Sequence, residues 1–344
     1  MPAQECFASI ADYDAFQSEP TAGVIDSLSR IGGALLVLGA GGKMGPTLCR
    51  MALRAAEFGG YPLRVIAVSR FGDTSTRVMF EEMCCETIAA DLLDPAALSA
   101  LPNIENIVYL AGQKFGSQHD EAQTWRMNAI LPAHVAERFP TSRFAVLSTG
   151  NVYPFSEPVT GGPLPDAPIG PIGHYAESCV SREQAFTAAA AKRGTKSTIL
   201  RLNYANELRY GVLTDIARKV WNRDVVDISM GAVNVLFQGD ACAWTLQSLA
   251  LADNPPRILN LAGPETIGIR ELALWFGARF GIPLTLAGTP ATTSLLSNGA
   301  ETHALFGYPR VSLYEMMLQV ASWTESGGEI SGKPTKFEVR DGRF

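Results

Sequence analysis

Short apolar runs alternate with stretches of helical periodicity from Ala34 to about Leu202. The runs Ala34–Leu38, Arg64–Val68, Thr87–Ala90, Asn106–Leu110, Phe144–Ser148 and Ser197–Leu202 predict strands. Between them, Gly45–Glu57, Asp94–Leu101, Glu121–Phe139 and Tyr175–Arg193 repeat their apolar residues at helical spacing. Strand and helix in regular alternation predict βαβ units and a parallel sheet covered by helices. After Leu202 the alternation loosens: Gly211–Asn222 and Ile269–Phe280 read as helices around a polar-interrupted strand region, Val233–Phe237. A short helix, roughly Thr21–Ser29, precedes the first strand, and the tail Gly327–Phe344 is rich in glycine and charge and reads either as a surface wrap or as loosely held. The pattern divides the chain into an N-terminal helical extension (1–32), a doubly wound α/β domain (33–202, with 231–262 returning to it) and a smaller C-terminal lobe with its tail (203–344).

Composition narrows the class. With 344 residues, 47% apolar and 18% charged, the chain can bury a large core and reads as an ordinary soluble enzyme. No apolar run approaches the roughly 20 residues of a membrane helix. Met1–Pro20 carries Glu5, Asp12, Asp14 and Glu19 and lacks the order of a secretory leader. A net charge of −6 without a basic run argues against nucleic acid or a membrane surface as partner, leaving a small molecule. Cys6, Cys49, Cys84, Cys85, Cys179 and Cys242 have neither disulfide nor zinc spacing, and His119, His134, His174 and His303 are scattered. A reduced, cytoplasmic protein without a metal is expected.

The chemistry begins where the first apolar run meets the first helix, at Gly39-Ala40-Gly41-Gly42-Lys43-Met44-Gly45. Glycines between a strand and a helix let the backbone approach a pyrophosphate, and the helix N-terminus offers free N–H groups and a positive dipole end. The second strand runs into Ser69-Arg70, where an acidic residue would hold the ribose 2′-hydroxyl of NAD. Serine and arginine suit a 2′-phosphate instead, and Lys43 adds a second cation, so NADP is expected over NAD. Asp91-Leu92 follows the third strand and is placed for adenine, although Asp94 before Pro95 is a helix N-cap and Asp91 also suits that turn. The fourth strand ends in Leu110-Ala111-Gly112, small enough for a cofactor to cross, with Lys114 next to the crevice.

Two further segments complete the pattern: Ser148-Thr149-Gly150-Asn151-Val152-Tyr153, and Gly173-His174-Tyr175-Ala176-Glu177-Ser178 about 25 residues on. Together with Gly39, Gly42 and Gly45, Asp91-Leu92, Leu110-Ala111, Asn128, Glu183-Gln184 and Leu259-Asn260-Leu261-Ala262-Gly263, they make residues 33 to 280 resemble the extended short-chain dehydrogenase/reductase family. That family contains NAD(P)-dependent sugar epimerases and dehydratases. The resemblance implies a Rossmann-type doubly wound parallel sheet with a smaller substrate lobe. It also implies that Thr149 bonds the substrate oxygen and that the Tyr175 phenol passes a proton while a nicotinamide moves a hydride. A homodimer through the helices of Asn128 and Tyr175 is compatible with it, with Ile130, Leu131, Val135 and Phe139 forming an apolar side that serves either a partner or the core.

Departures from the family are as informative. Four residues after Tyr175 the family carries lysine, and this chain carries Cys179. An ammonium about 4–5 Å from the phenol is worth roughly 3–4 kcal/mol at an effective dielectric of about 20, and a thiol supplies none of it. Three consequences stay open. Lys114 or the cofactor's own charge could take over the electrostatic role. Another group, Cys179, His174 or Glu177, could carry the chemistry. The protein could also bind NADP(H) without turnover, as a sensor or scaffold. Gly150-Asn151 stands where 4,6-dehydratases carry an acidic pair, which argues against that reaction. The loop 203–210 lacks the family's Gly-Pro turn, leaving Arg209, Asn234 and Gln238 as candidate pocket residues.

Overall fold

The computed structural model describes residues 6–114, 120–333 and 335–343, so His119 and the ends of the N-terminal extension and tail lie outside the described residues. Two helices precede the sheet, α1 (Ile10–Gln17) and α2 (Ala22–Ile31). Strands β1 (Leu35–Leu38), β2 (Val65–Ser69), β3 (Glu86–Ala89), β4 (Asn106–Tyr109), β5 (Arg143–Thr149) and β6 (Lys196–Leu202) then alternate with helices. These are α3 (Gly45–Gly59), α4 (Thr74–Glu82), α5 (Pro95–Ala100), α6 (Glu121–Trp125), α7 (Leu131–Arg138) and α8 (Gly173–Arg193). A seventh strand, Arg257–Leu261, joins outside β6, giving the order Arg257–Leu261, β6, β5, β4, β1, β2, β3, parallel throughout. The chain crosses from one side of β1 to the other after β3, which creates the switch point where such sheets bind ligands.

Every residue of β1 is buried, as expected of a central parallel strand covered on both faces. One face packs on α2, α3 and α10 (Gln238–Ser248), and the other on α5, α7 and α8. Local signals set the helix ends: Asp73 and Asp94 cap α4 and α5, Pro46 opens α3, and Gly60 and Gly194 close α3 and α8 in the left-handed conformation. The long helix expected over Glu121–Phe139 is interrupted by a π turn at Arg126–Ile130, centred on the buried Asn128. The residues given above as an apolar side form the monomer core: Leu131, Val135 and Phe139 are buried against the sheet, leaving Ile130 exposed.

A second core unites α9 (Val212–Trp221), α11 (Ile269–Phe280) and α13 (Leu313–Glu325) with Tyr13 of α1. α12 (Ala300–Phe306) lies against the Arg257–Leu261 strand. The tail is anchored here rather than loosely held. Phe337 is buried in this core, Thr335 donates both its N–H and Oγ1 to Asp215, and Arg340 donates to the Thr293 carbonyl. One phenylalanine in a polar segment has no periodicity to betray its burial. No helix among the described residues is long and apolar enough to cross a membrane.

Candidate active site

A cavity of about 460 Å³ opens at the carboxyl ends of β1, β4, β5 and β6. Its floor is the loop after β1. Gly39 adopts φ +85, and a Cβ there would lie 2.7 Å from the Ala111 backbone, so only glycine lets the two strand ends approach. Gly45 is equally constrained, since its Cβ would meet the Ala40 carbonyl. Gly42 differs: an added Cβ would touch only Gly39 O, at 3.4 Å, and it lines the cavity with Lys43, Met44 and Gly45. No side chain caps the start of α3, although Gly45 N–H is bonded to Gly42 O at 3.2 Å and Pro46 has no N–H to offer. An open backbone cradle at an uncapped helix N-terminus fits a dinucleotide pyrophosphate.

The remaining cofactor candidates divide. Leu110 lines the cavity and Ala111 is buried behind Gly39. Ser69 lies against the glycine loop, its Oγ 2.4 Å from where a Cβ on Gly41 would stand, and Arg70 is exposed at the end of β2. The cavity does not reach Ser69, Arg70, Asp91 or Leu92. Asp91 accepts from Leu93 N–H at 3.0 Å, and Leu92 is buried. Asn128 is a tether rather than a wall. It accepts from Gln113 N–H at 2.9 Å, donates to Gln113 O at 2.8 Å and to Ser178 Oγ at 3.1 Å, and so binds the end of β4 to α8. A π turn at such a residue presents a side chain that a regular helix would turn away.

At the far end of the cavity stand Thr149, at the end of β5, and Tyr175, in the first turn of α8. Thr149 and Cys179 both lie close enough to the phenol to act on its ionisation, and the Thr149 hydroxyl itself is bonded to Asn151. Burial first, then the Cys179 sulfur, pushes the phenol well above the usual tyrosine range, while Arg182 and Thr149 pull it back. Lys114 brings Nζ to 5.7 Å from the Tyr175 ring centroid. Burial, opposed by Cys179 and aided by Lys336, lowers its ammonium to about 8. Lys43 sits with Nζ 2.6 Å from the Tyr210 ring centroid, and burial of that ammonium followed by the neighbouring Lys333 lowers it to about 7.

Of the other candidates, only Gln238 reaches the cavity. Cys179 is fully buried against Val152 and Tyr153, and burial raises its thiol, which keeps it protonated at neutral pH. His174 and Glu177 are exposed and face each other and Glu121. Arg209 is held by Asp14 and Glu207. Asn234 bonds Asn203 and the Ser297 carbonyl, whereas Gln238 lines the cavity.

Sequence reasoning missed Arg182, Tyr210 and Lys333, all of which line the cavity. Arg182 was within reach, because i, i+4 and i+7 spacing puts Tyr175, Cys179 and Arg182 on one helix face. Lys333 arrives through the tail and carries no local signal. The lining holds four cations (Lys43, Lys114, Arg182, Lys333) and, among the described residues, no carboxylate, in a chain of net charge −6. No three His, Cys, Asp or Glu side chains among the described residues are grouped to hold a metal.

Comparison with known proteins agrees with this geometry. The profile of the NAD dependent epimerase/dehydratase family matches residues 35–241. No curated protein sequence matches the chain. The fold is similar to UDP-glucuronic acid 4-epimerase from Bacillus cereus, at 17% identity and TM-score 0.70 over 85% of this chain and 99% of that one. It is similar to dTDP-glucose 4,6-dehydratase from Streptomyces venezuelae, at 17% identity and TM-score 0.71 over 85% of this chain and 97% of that one. UDP-glucose 4-epimerase from Thermotoga maritima aligns at 20% identity and TM-score 0.68, over 85% of this chain and 99% of that one.

Proposed function

The chain belongs to the NAD dependent epimerase/dehydratase family, and from that premise we propose that it is an NADP(H)-dependent oxidoreductase or epimerase acting at a hydroxyl- or keto-bearing carbon of an anionic sugar or sugar acid. One observation carries this reading: Thr149 and Tyr175 face the same cavity as the open glycine cradle. When bound, the nicotinamide would supply the hydride acceptor or donor. Gly39, Gly42, Lys43, Met44 and Gly45 would hold the pyrophosphate, with Leu110, Ala111 and Asn128 forming and fixing the crossing behind it. Ser69 and Arg70 would receive the 2′-phosphate, and Asp91 with Leu92 would border the adenine. This assignment favours NADP over the NAD named for the family.

Thr149 would polarise the substrate oxygen and Tyr175 would exchange its proton. Lys114 would supply positive charge beside the phenol. Four cations without a lining carboxylate favour a substrate with a carboxylate or phosphate, because like charges crowded in a cavity are relieved by an anion. Gly150 and Asn151 offer no acid–base pair beside Thr149, which favours epimerisation or redox exchange over elimination. The lobe after Asn203 would form the substrate side through Tyr204, Tyr210 and the tail.

Tyr175→Phe tests the reading, assayed with NADP⁺ and NAD⁺ against a panel of sugar acids and sugar phosphates. Turnover should fall at least about 100-fold, or about 2.7 kcal/mol, while cofactor affinity is kept. Undiminished turnover in Tyr175→Phe overturns the assignment. Cofactor binding without turnover in wild type, across the panel, favours the alternative of a non-catalytic NADP(H) sensor or scaffold, to which the missing lysine at 179 also points.

A further inference from the structure

Arg182 is a cation buried without a counter-ion. Only 6% of it is exposed. Its Nη1 donates to the Leu147 carbonyl at 2.8 Å and its Nη2 to Asn128 Oδ1 at 2.7 Å, both neutral acceptors. Its Nε has no hydrogen-bond partner. The next residue, Glu183, belongs to Arg201, and among the described residues no carboxylate lies within ion-pair distance of Arg182. A guanidinium removed from water and denied a carboxylate is an unfavourable arrangement unless a negative charge develops beside it.

The surroundings leave room for this side chain. A Cβ on Gly112 would stand 2.5 Å from Nη2, so glycine there lets the guanidinium reach the cavity wall. We propose that Arg182 is a positioning residue of the active site: from the same face of α8 as Tyr175 and Cys179, it supplies the fixed positive charge beside the phenol that position 179 lacks. The proposal rests on the reading of Tyr175 as the proton-carrying group.

Among the described residues, the charged or titratable groups near that phenol come from α8, β5, the segment after β4 and the tail. From α8 come Cys179, a neutral thiol, and Arg182; from β5 comes the Thr149 hydroxyl; from the segment after β4 comes Lys114, itself influenced by Lys336 of the tail. Arg182 heads the influences that lower the phenol, ahead of the Thr149 hydroxyl. The two cations are not equivalent. Lys114 titrates at about 8, inside the working range, whereas a guanidinium held by two hydrogen bonds stays charged and in place. Arg182 therefore carries a permanent charge, whereas the charge on Lys114 is lost as pH rises through about 8.

The test reads the phenol directly, without cofactor or substrate. A polyfluorinated tyrosine, acidic enough to titrate in an accessible range, is incorporated at position 175 of the full chain and followed by fluorine NMR. Arg182→Gln and Arg182→Met serve as two neutral replacements, Arg182→Lys as the charge-retaining one and Lys114→Ala as the comparison. Both neutral variants should weaken the phenol acid constant at least about tenfold, and Arg182→Lys should recover most of that. The basic limb of the wild-type pH–rate profile should move in the same direction, with kcat falling more than KM rises. A folded neutral variant whose phenol titrates with wild type overturns the proposal and leaves Arg182 a structural tie. Turnover that survives Tyr175→Phe would instead sink the functional reading, and the titration distinguishes the two failures.

Discussion

Two buried arginines, one on α8 and one on β6, are treated in opposite ways. Arg201, on β6, meets Glu183 through Nε at 3.0 Å and Nη2 at 2.7 Å. Its Nη1 is shared by Tyr153 Oη and the Pro165 carbonyl, and Ser148 Oγ donates to Glu183 as well. Every charge there has its opposite. Arg182 is buried to the same degree, one residue before Glu183, and reaches only neutral acceptors along the cavity wall. The first region is an internal tie between α8, β5 and β6. The second keeps an unspent positive charge at the edge of an empty space. Burial alone does not separate structural from functional cations; the placement of the counter-charge does.

Removing one partner of the completed network should break the fold hardest. Glu183→Ala leaves Arg201 buried and unpaired, and should destabilise the protein by about 3–5 kcal/mol in urea unfolding. Arg182→Gln should lose less than half as much, because it deletes two hydrogen bonds but also removes a charge that had no partner. Equal losses would mean that both arginines are structural, and the contrast would collapse.

The two regions also differ in how far the sequence announced them. The glycine cradle was legible because a strand–turn–helix signature dictates the backbone there, whereas Thr149 and Tyr175 were singled out through the resemblance to the family. Cys179 was legible as a departure, but its burial among Val152 and Tyr153 was not. Arg182 sits on the same helical face as Tyr175, yet its importance lies in the carboxylate it lacks, and such an absence exists only in three dimensions. The apolar stripe of Leu131, Val135 and Phe139 could equally have served a core or a partner, since periodicity records a buried face without saying what buries it. The tail misled for a related reason: Phe337 is its single deep anchor, and Lys333 reaches the cavity only because that anchor holds.

A titration separates the regions more gently. Lys43 and Lys114 release their protons at about 7 and about 8 in the folded chain, against about 10.4 for an unfolded lysine. Between those values the unfolded chain binds more protons, so the ligand-free protein should gain stability as pH rises from about 7 to 8.5. Asp240, raised to about 6 by burial, acts in the opposite direction but has finished titrating below that window. Above about pH 8.5 the buried thiols of Cys49, Cys179 and Cys242, all raised, oppose the gain. Thermal midpoints across the window check the sign. An anion in the cavity restores the lost protons, so binding of a sugar phosphate near pH 8 should take up protons, read as a buffer-dependent enthalpy in calorimetry. Proton release on binding would mean that the lysines do not face the anion.

The smallest effect belongs to Lys333, exposed on the tail and repelled by Lys43 across the cavity mouth. Solvent screens it, so Lys333→Ala should weaken an anionic ligand by no more than about 1 kcal/mol, roughly fivefold, and the difference should shrink with added salt. The tail itself should stay in place, because Phe337 and the Thr335–Asp215 bonds hold it without the lysine. The substitution also relieves Lys43 of its nearest like charge, so the Lys43 ammonium should recover part of its ordinary affinity for protons. A loss of affinity that persists in high salt would mean that Lys333 touches the ligand directly. The cavity would then have a second fixed cation beside Arg182, and the division between permanent and titrating charge would run along the tail as well as along α8.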